Sequence, residues 1–201
     1  EPEIGTTYYG AIRIMLANAG LTYDLQDCQI SVSGYNVEVY DILEREMGGF
    51  LEIRYSLSIP CVWVGGVRLT QGEYLATGST QPQTTQPEGG YAFFMDGYLA
   101  LHDYRYTGKG YEYNTEEGYG AIILSERDLS IRLEGANVLT QVDSNSDNIW
   151  CLGSIDVAGS GSLQTIGGYC GIFVNDSLVI SSGDIFTTHR NCNGITTCDT
   201  L

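Results

Sequence analysis

The amino-acid sequence predicts a mostly β protein: a right-handed parallel β-helix, or solenoid, with a small α+β module at its N-terminal end. Two observations predict the solenoid. First, the similar phrases "GAIIL", "DNIWC", "CGIFV" and "NGITT" recur along the second half of the chain. Second, short segments of alternating apolar and polar residues follow these phrases, as expected for strands. Short strands that recur at a nearly constant interval are typical of stacked repeats.

The N-terminal module, residues 1–60, is predicted to have the order ββαβ and to resemble a β-grasp fold. Apolar alternation in residues 11–16 and 21–33 predicts a hairpin. A helix is predicted over 37–47, because its apolar residues recur at helical spacing and two glycines follow it. Those apolar residues are Val39, Ile42, Leu43 and Met47. Clean alternation over 50–59 then predicts the last strand of the module.

Residues 61–201 are predicted to form the β-helix. When the recurrent phrases are aligned, one isoleucine of each falls at the same position, at intervals of 27, 23 and 23 residues. These residues are Ile122, Ile149, Ile172 and Ile195. One repeat cannot bury its apolar side chains alone, whereas repeats stacked about 4.8 Å apart join them into continuous columns. The Thr/Gln/Pro segment 77–90 is predicted to be a mobile loop.

Four segments carry a resemblance to a known group of proteins: "VWVGGVRLT", "DGYLALHDYRYTG", "GAIILSERDLSIRLEGANVLT" and "CGIFVNDSLVISSGDI". Across residues 62–201 the chain resembles the β-helical surface proteins of anaerobic Gram-positive bacteria. Members of that group often carry the label of carbohydrate-binding domain. The resemblance implies a β-helical fold, and through that label it implies sugar binding.

Composition excludes several classes of partner. The 25 acidic and 9 basic side chains give a formal net charge of -16. Such a surface repels nucleic acid and anionic membranes, because phosphate binding requires Lys and Arg. No apolar run reaches the about 20 residues that a membrane-spanning helix requires. We therefore expect neither nucleic-acid binding nor membrane insertion.

Six cysteines indicate an oxidising compartment, and we expect an extracellular or cell-surface location. They are Cys28, Cys61, Cys151, Cys170, Cys192 and Cys198. The even number allows up to three disulfides, and no CxxC or Cys/His cluster has zinc spacing. Cys192 with Cys198 and Cys151 with Cys170 are candidate pairs. The alternative is that the cysteines are small buried apolar residues.

Two groups of residues are candidate binding sites. The tyrosine-rich segment contains Tyr104, Tyr106, Tyr111 and Tyr113, whose rings suit stacking against sugars. The alternative use of these rings is strand packing. In "DSNSDN", Asp143, Asn145 and Asp147 alternate as oxygen donors in the manner of a calcium loop. The alternative for that segment is a polar insertion loop without metal, and we expect no other cofactor.

The function predicted is structural or adhesive rather than enzymatic. No nucleophile elbow, phosphate-binding loop or metalloprotease motif occurs. The last repeat breaks off at residue 201, which leaves three possibilities: a longer natural chain, a terminal cap, or another subunit docked there. Docking of another copy head-to-tail would make the protein a self-stacking subunit of an extracellular polymer. The alternative function is carbohydrate binding by the tyrosine flank.

Overall fold

The structure is a computed structural model in which the chain divides into two compact units, residues 1–60 and 61–201. It describes residues 8–15, 36–45, 50–58, 60–189 and 194–198. These residues form 20 β-strands. No helix occurs among them, and thus none that could cross a membrane. The prediction of a mostly β protein is confirmed.

The described part of the first unit is an antiparallel sheet of three strands in the order β1-β3-β2. The strands are β1 (Tyr8–Met15), β2 (Asn36–Arg45) and β3 (Phe50–Ser58). β3 therefore lies in the centre and exchanges backbone hydrogen bonds with both neighbours. Strand β3 confirms the strand predicted over 50–59. The strand predicted over 21–33 lies outside the described residues.

The helix predicted over 37–47 is wrong, because residues 36–45 form strand β2. Its register on β3 shifts between Val39 and Asp41, which marks a β-bulge. A bulge adds one residue to a strand, so the apolar residues on its two sides, Val39 and Ile42, stand three positions apart. That spacing is also the helical one, and pairing with β3 decides between the two structures.

The second unit contains three sheets, which we number 1 to 3. Sheet 1 has the order β20-β17-β14-β11-β4-β5, and β10 pairs with β11 beside this path. Its strands are β4 (Cys61–Val64), β5 (Val67–Thr70), β10 (Tyr111–Asn114), β11 (Tyr119–Ser125), β14 (Asp147–Cys151), β17 (Ile172–Val174) and β20 (Ile195–Thr197).

Sheets 2 and 3 complete the second unit. Sheet 2 has the order β18-β15-β12-β8-β7-β6, and sheet 3 has the order β19-β16-β13-β9. The strands of sheet 2 are β6 (Glu73–Ala76), β7 (Tyr91–Met95), β8 (Tyr98–His102), β12 (Leu129–Glu134), β15 (Ile155–Gly159) and β18 (Leu178–Ile180). Those of sheet 3 are β9 (Arg105–Gly108), β13 (Ala136–Gln141), β16 (Ser162–Gly167) and β19 (Asp184–Thr188).

From β11 onward, successive strands belong to sheets 1, 2 and 3 in turn, and this order repeats along the chain. Strands β11, β12 and β13 form one repeat, β14 to β16 the next, and β17 to β19 the third, after which β20 returns to sheet 1. Every strand of a repeat pairs in parallel with its counterpart in the next one. Equivalent residues of successive repeats therefore lie side by side.

The isoleucine register predicted from the sequence is confirmed for three of its four members. Ile149 pairs with Ile172, and Ile172 pairs with Ile195. The fourth assignment is wrong by one residue, since Ile123 rather than Ile122 pairs with Ile149. Ile122 and Ile123 are both fully buried, so apolar alternation does not mark which of them belongs to the column.

The two ends of this second unit differ in how their strands are covered. At the head end, formed by β5, β6 and β9, antiparallel hairpins β4-β5 and β6-β7 replace the parallel repeats. Loop 77–90, predicted to be mobile, pairs Gln83 with Tyr74 of β6 through two backbone hydrogen bonds. Thr77 also accepts a hydrogen bond from the backbone of Arg105 in β9. Apolar side chains at this end, including Leu69 and Leu75, are fully buried.

Candidate functional site

The four tyrosines predicted to bind sugar do not share one surface. Tyr104 is 1% exposed, and burial raises its hydroxyl pKa well above the usual value. Tyr106 is half-buried and packs against the core. Tyr111 and Tyr113 lie on β10, where they join a second set of rings. Tyr104 is therefore a core residue, and Tyr111 and Tyr113 belong to a different arrangement.

That arrangement is an aromatic row across sheet 1. The Trp63 and Tyr111 rings stack with centroids 3.8 Å apart and planes 14° from parallel. Tyr113 stacks on Trp150 at 4.6 Å and 15°. Trp150 is nearly parallel to Phe173 at 6.5 Å, because these residues pair in register on β14 and β17. We call these five residues the aromatic row.

Each ring of the aromatic row stacks on at least one other ring of the row. Trp150 lies between Tyr113, on a strand beside β11, and Phe173, on the opposite side of β14. Trp63 stacks on Tyr111, and the guanidinium of Arg68 lies 5.9 Å from its ring centroid. Sugar stacking requires an open ring face. The geometry therefore favours packing over sugar binding for Trp63 and Trp150, which each have two such neighbours.

Sequence reasoning missed three members of the row: Trp63, Trp150 and Phe173. A signal for two of them was present, since Trp150 and Phe173 each follow a correctly aligned isoleucine. An outward position that repeats from strand to strand with aromatic residues predicts stacked rings. Trp63 gave no such signal, because it lies on the antiparallel strand β4 outside the repeats.

The second notable feature is the tail end, formed by β18, β19 and β20, where one apolar column becomes exposed to solvent. Along one column of sheet 2, Ile131 and Val157 are 2% and 0% exposed, whereas Ile180 in β18 is 44% exposed. In the parts of the chain that the structure describes, each of these three strands has a neighbour on one side only. The column that contains Ile180 is thus exposed at its last described member, whereas the neighbouring column stays buried on the same strand, where Leu178 is 7% exposed.

Further apolar side chains lie at the same edge. Phe186 of β19 is 57% exposed, and Val179 of β18 is 53% exposed. Ile185 and Ile195 are half-buried and contact the core from its last strands. Val179 and Phe186 pair in register with the exposed Asp156 and Gln164, so they lie on the outer faces of sheets 2 and 3, and exposed apolar side chains favour contact with another surface. We call Val179, Ile180, Ile185, Phe186 and Ile195 the tail surface.

The predicted calcium ligands have other partners. Asp143 Oδ2 lies 3.1 Å from Lys109 Nζ, and Asp143 Oδ1 accepts the backbone N–H of Asn145 at 2.9 Å. The same ammonium lies 3.3 Å from Glu112 Oε2. Lys109 therefore already supplies the positive charge at this loop. The Asn145 N–H bond, followed by the Lys109 ammonium, holds the Asp143 pKa below its usual value.

Asp147 faces a different environment from Asp143. It is buried at the start of β14, and its Oδ1 accepts the backbone N–H of Cys170 at 2.9 Å. Burial raises its pKa to about 6, against the lowering effect of that hydrogen bond. Its burial places it away from solvent, whereas Asn145 is exposed. Among the described residues, no group of three or more His, Cys, Asp or Glu side chains is arranged around a metal position.

The cysteines that the structure describes form no disulfide with one another. Cys61, Cys151 and Cys198 are free thiols. Cys151 pairs in register with Val174, so Cys170 lies four residues away along the neighbouring segment and the pair predicted from these two is wrong. Cys170 Sγ contacts Thr196 Oγ1 at 3.6 Å. Cys28 and Cys192 lie outside the described residues, so pairs that involve them stay predictions.

A shallow groove of about 670 Å³ crosses the outer face of sheet 3. A row of in-register residues from four strands runs along it: Arg105, Val138, Gln164 and Phe186. This row thus combines one cation, one amide and one exposed ring. These are groups that bind polar ligands with an apolar face.

No protein-family model, curated protein or solved structure matches the chain. The resemblance to β-helical surface proteins therefore rests on the quoted segments alone and stays a hypothesis.

Proposed function

We propose that the protein is a non-enzymatic structural or adhesive module of an extracellular polymer or cell surface. In this proposal its second unit is a right-handed parallel β-helix that associates with other copies through the tail surface. The parallel, in-register pairing that joins each repeat to the next supports the β-helix. The even cysteine count and the acidic composition support the extracellular location.

One observation carries the self-association: the column that is buried at Ile131 and Val157 opens at Ile180. A buried column ends favourably only when another apolar surface covers it, because burial contributes about 25 cal/mol per Å² of apolar surface. Among the described residues, β18 and β19 each pair with a strand on one side only, and a further strand would satisfy the backbone groups of their other edges.

Sedimentation of the full chain over a range of concentrations tests this proposal. We expect the wild-type mass to rise with concentration and Ile180→Lys to remain monomeric, because a charge at the tail surface opposes its burial. Val142→Lys is the matched control, since Val142 is 65% exposed and lies outside the tail surface. A wild-type protein that stays monomeric throughout would refute self-association.

The groove on sheet 3 supports a second candidate function, carbohydrate binding. Arg105 and Gln164 offer donors for hydroxyl or carboxylate groups, and Phe186 offers a ring for a sugar face. We expect glycan binding, measured by titration calorimetry, to weaken in Arg105→Ala and to persist in Arg127→Ala, a control outside the groove. Equal loss of glycan binding in both variants would argue against this function, and so would the absence of binding to every member of a glycan panel.

A further inference from the structure

Arg105 is a cation without a carboxylate partner. It lies on β9 at one end of the groove across sheet 3, and its side chain is exposed. Among the described residues it forms no ion pair. By contrast, the Arg132 Nε lies 3.7 Å from Glu134 Oε1. A guanidinium offers a planar set of donors that matches a carboxylate. The β9 end of the groove therefore presents an unused carboxylate-binding group.

Charge is distributed unevenly along the groove. Of the described residues that line it, Arg105 is the one that carries a charge. The exposed Asp184, which pairs in register with Ser162, lies at the opposite end on β19, three strand spacings or about 14 Å from β9. This distance exceeds the Debye length of about 8 Å, so Arg105 would not offset repulsion between Asp184 and a second carboxylate. The groove thus accepts one carboxylate, at its β9 end.

The central strands of the groove offer side chains rather than backbone groups to a ligand. β13 pairs with β9 and β16, and β16 pairs with β13 and β19. An extended peptide binds a sheet by adding a strand at a free edge, whereas β13 and β16 are paired on both sides. Next to Arg105 the face presents the half-buried Val138, followed by the exposed amide of Gln164. An apolar contact followed by an amide suits the C–H face and the hydroxyl groups of neutral sugar units.

We infer that the groove binds a glycan segment with a single carboxylate, supplied by one uronic acid unit. The carboxylate pairs with Arg105, and the neutral units lie along Val138 and Gln164. This inference rests on the proposed carbohydrate binding and specifies the class of glycan. From β9 to β16 the segment crosses two strand spacings, about 10 Å. The ligand is therefore longer than one sugar unit, and a linear glycan that crosses the strands fits this geometry.

Titration calorimetry of the full chain with matched ligands tests this inference. The probes are tetrasaccharides of several linkages, each with one terminal glucuronic acid and each paired with its carboxyl-reduced form. Reduction replaces the carboxylate by a hydroxymethyl group and leaves the rest of the ligand unchanged. We expect an acidic tetrasaccharide to bind at least about tenfold more tightly than its reduced form, because the reduced form loses the charge-assisted hydrogen bonds to Arg105.

Two arginine variants separate the groove from general attraction of an anion. Arg105 and Arg127 are both exposed, so neither substitution disturbs the core, and Arg127 lies outside the groove. We expect Arg105→Gln to bind the acidic and the reduced tetrasaccharide equally, with the affinity of wild type for the reduced form. Arg127→Gln should retain the preference for the acidic form.

Other outcomes would contradict the inference in different ways. Equal binding of both forms by wild type would overturn the carboxylate but retain carbohydrate binding, whereas binding of no tetrasaccharide would overturn both. A preference that survives in Arg105→Gln, or is lost in Arg127→Gln, would overturn the position of the carboxylate. Tighter binding of tetragalacturonate, which has a carboxylate on every unit, would overturn the restriction to a single carboxylate. Equal binding of a tetraglutamate peptide would overturn the restriction to glycans.

Discussion

Asp147 is a carboxyl group whose environment opposes its charge. Its pKa is raised to about 6 by burial, whereas an unfolded aspartate has a pKa of about 3.9. The folded state therefore holds this proton more tightly than the unfolded state. The contribution of the Asp147 carboxyl group to stability is fully present below the unfolded pKa. It is lost as the pH rises through about 6.

We predict that Asp147→Asn is more stable than wild type at pH 7.5, by roughly 3 kcal/mol at most. The amide oxygen of asparagine retains an acceptor for the Cys170 N–H, and the buried charge is removed. Urea denaturation across the acidic to neutral range measures the effect, which should vanish toward low pH. A variant that is less stable than wild type at pH 7.5 would contradict the assignment.

Asp143→Asn serves as a control, because we expect it to change the free energy of unfolding in the opposite direction. The pKa of Asp143 is lowered, first by the Asn145 N–H and then by Lys109. Its contribution to stability is therefore present above the unfolded pKa and is lost as the pH falls. We expect Asp143→Asn to be less stable than wild type at neutral pH, and to approach it at low pH in the same urea experiment.

The isoleucine column gives a prediction of packing. Ile172 is 1% exposed and lies between Ile149 and Ile195. We expect Ile172→Ala to lower the free energy of unfolding by about 2–5 kcal/mol, because it leaves a cavity in the column. Val142→Ala, at an exposed site, should change it by less than about 0.5 kcal/mol. Similar losses in both variants would show that Ile172 is not in a packed column.

Single residues also show how far sequence reasoning reaches. A strict interval of 23 residues identified the neighbours Ile149, Ile172 and Ile195. The same reasoning chose Ile122 over Ile123, because β11 is buried at both positions. The alternation of apolar and polar residues indicates the register of a strand only where one face of that strand is exposed to solvent. In β11 the pattern gives little information on register, because this strand has β10, β4 and β14 as neighbours.

At the scale of elements, the aromatic row joins strands that are distant in sequence. Tyr113 on β10 and Trp150 on β14 stack at 4.6 Å. We predict a coupling energy of about 0.5–1.5 kcal/mol between Tyr113→Leu and Trp150→Leu in a double-mutant cycle of unfolding free energies. Additive effects of the two substitutions would show that the rings do not stack.

A second pair from the same row serves as the control for that cycle. Trp63 on β4 and Phe173 on β17 are separated by β11 and β14. We expect Trp63→Leu and Phe173→Leu to be additive within about 0.5 kcal/mol. Strong coupling of this distant pair would indicate a general loss of the sheet rather than contact between neighbouring rings.

Elements differ in how well the sequence predicts them. The repeated strands were predictable because each one pairs with a copy of its own pattern. Strand β2 was not, since its bulge between Val39 and Asp41 produces helical spacing, and only its partner β3 resolves the ambiguity. Of the aromatic row, only Tyr111 and Tyr113 were singled out from the sequence, and there as sugar-binding residues. Trp150 and Phe173 were missed although they repeat in register, and Trp63 lies on β4 outside the repeats.

At the scale of the whole molecule, the two ends of the second unit differ in the contacts that their described strands make. At the head end, loop 77–90 pairs with β6 at Tyr74, and at the tail end Ile180 and Phe186 are exposed. Local patterns in the sequence do not reveal this difference, because Ile180 resembles the buried Ile131 and Val157 of its column in every local respect. Position in the stack alone does not set the exposure either, because Leu178 on the same strand β18 is only 7% exposed.

The central claim is that equivalent residues of successive repeats lie directly beside each other. Methyl NOE spectroscopy of isoleucine-labelled protein tests it most directly, with each resonance assigned by an Ile→Val substitution. We predict contacts from Ile123 to Ile149, from Ile149 to Ile172 and from Ile172 to Ile195, in that order. The absence of the contact between Ile149 and Ile172 would contradict the stacked repeats and every proposal built on them.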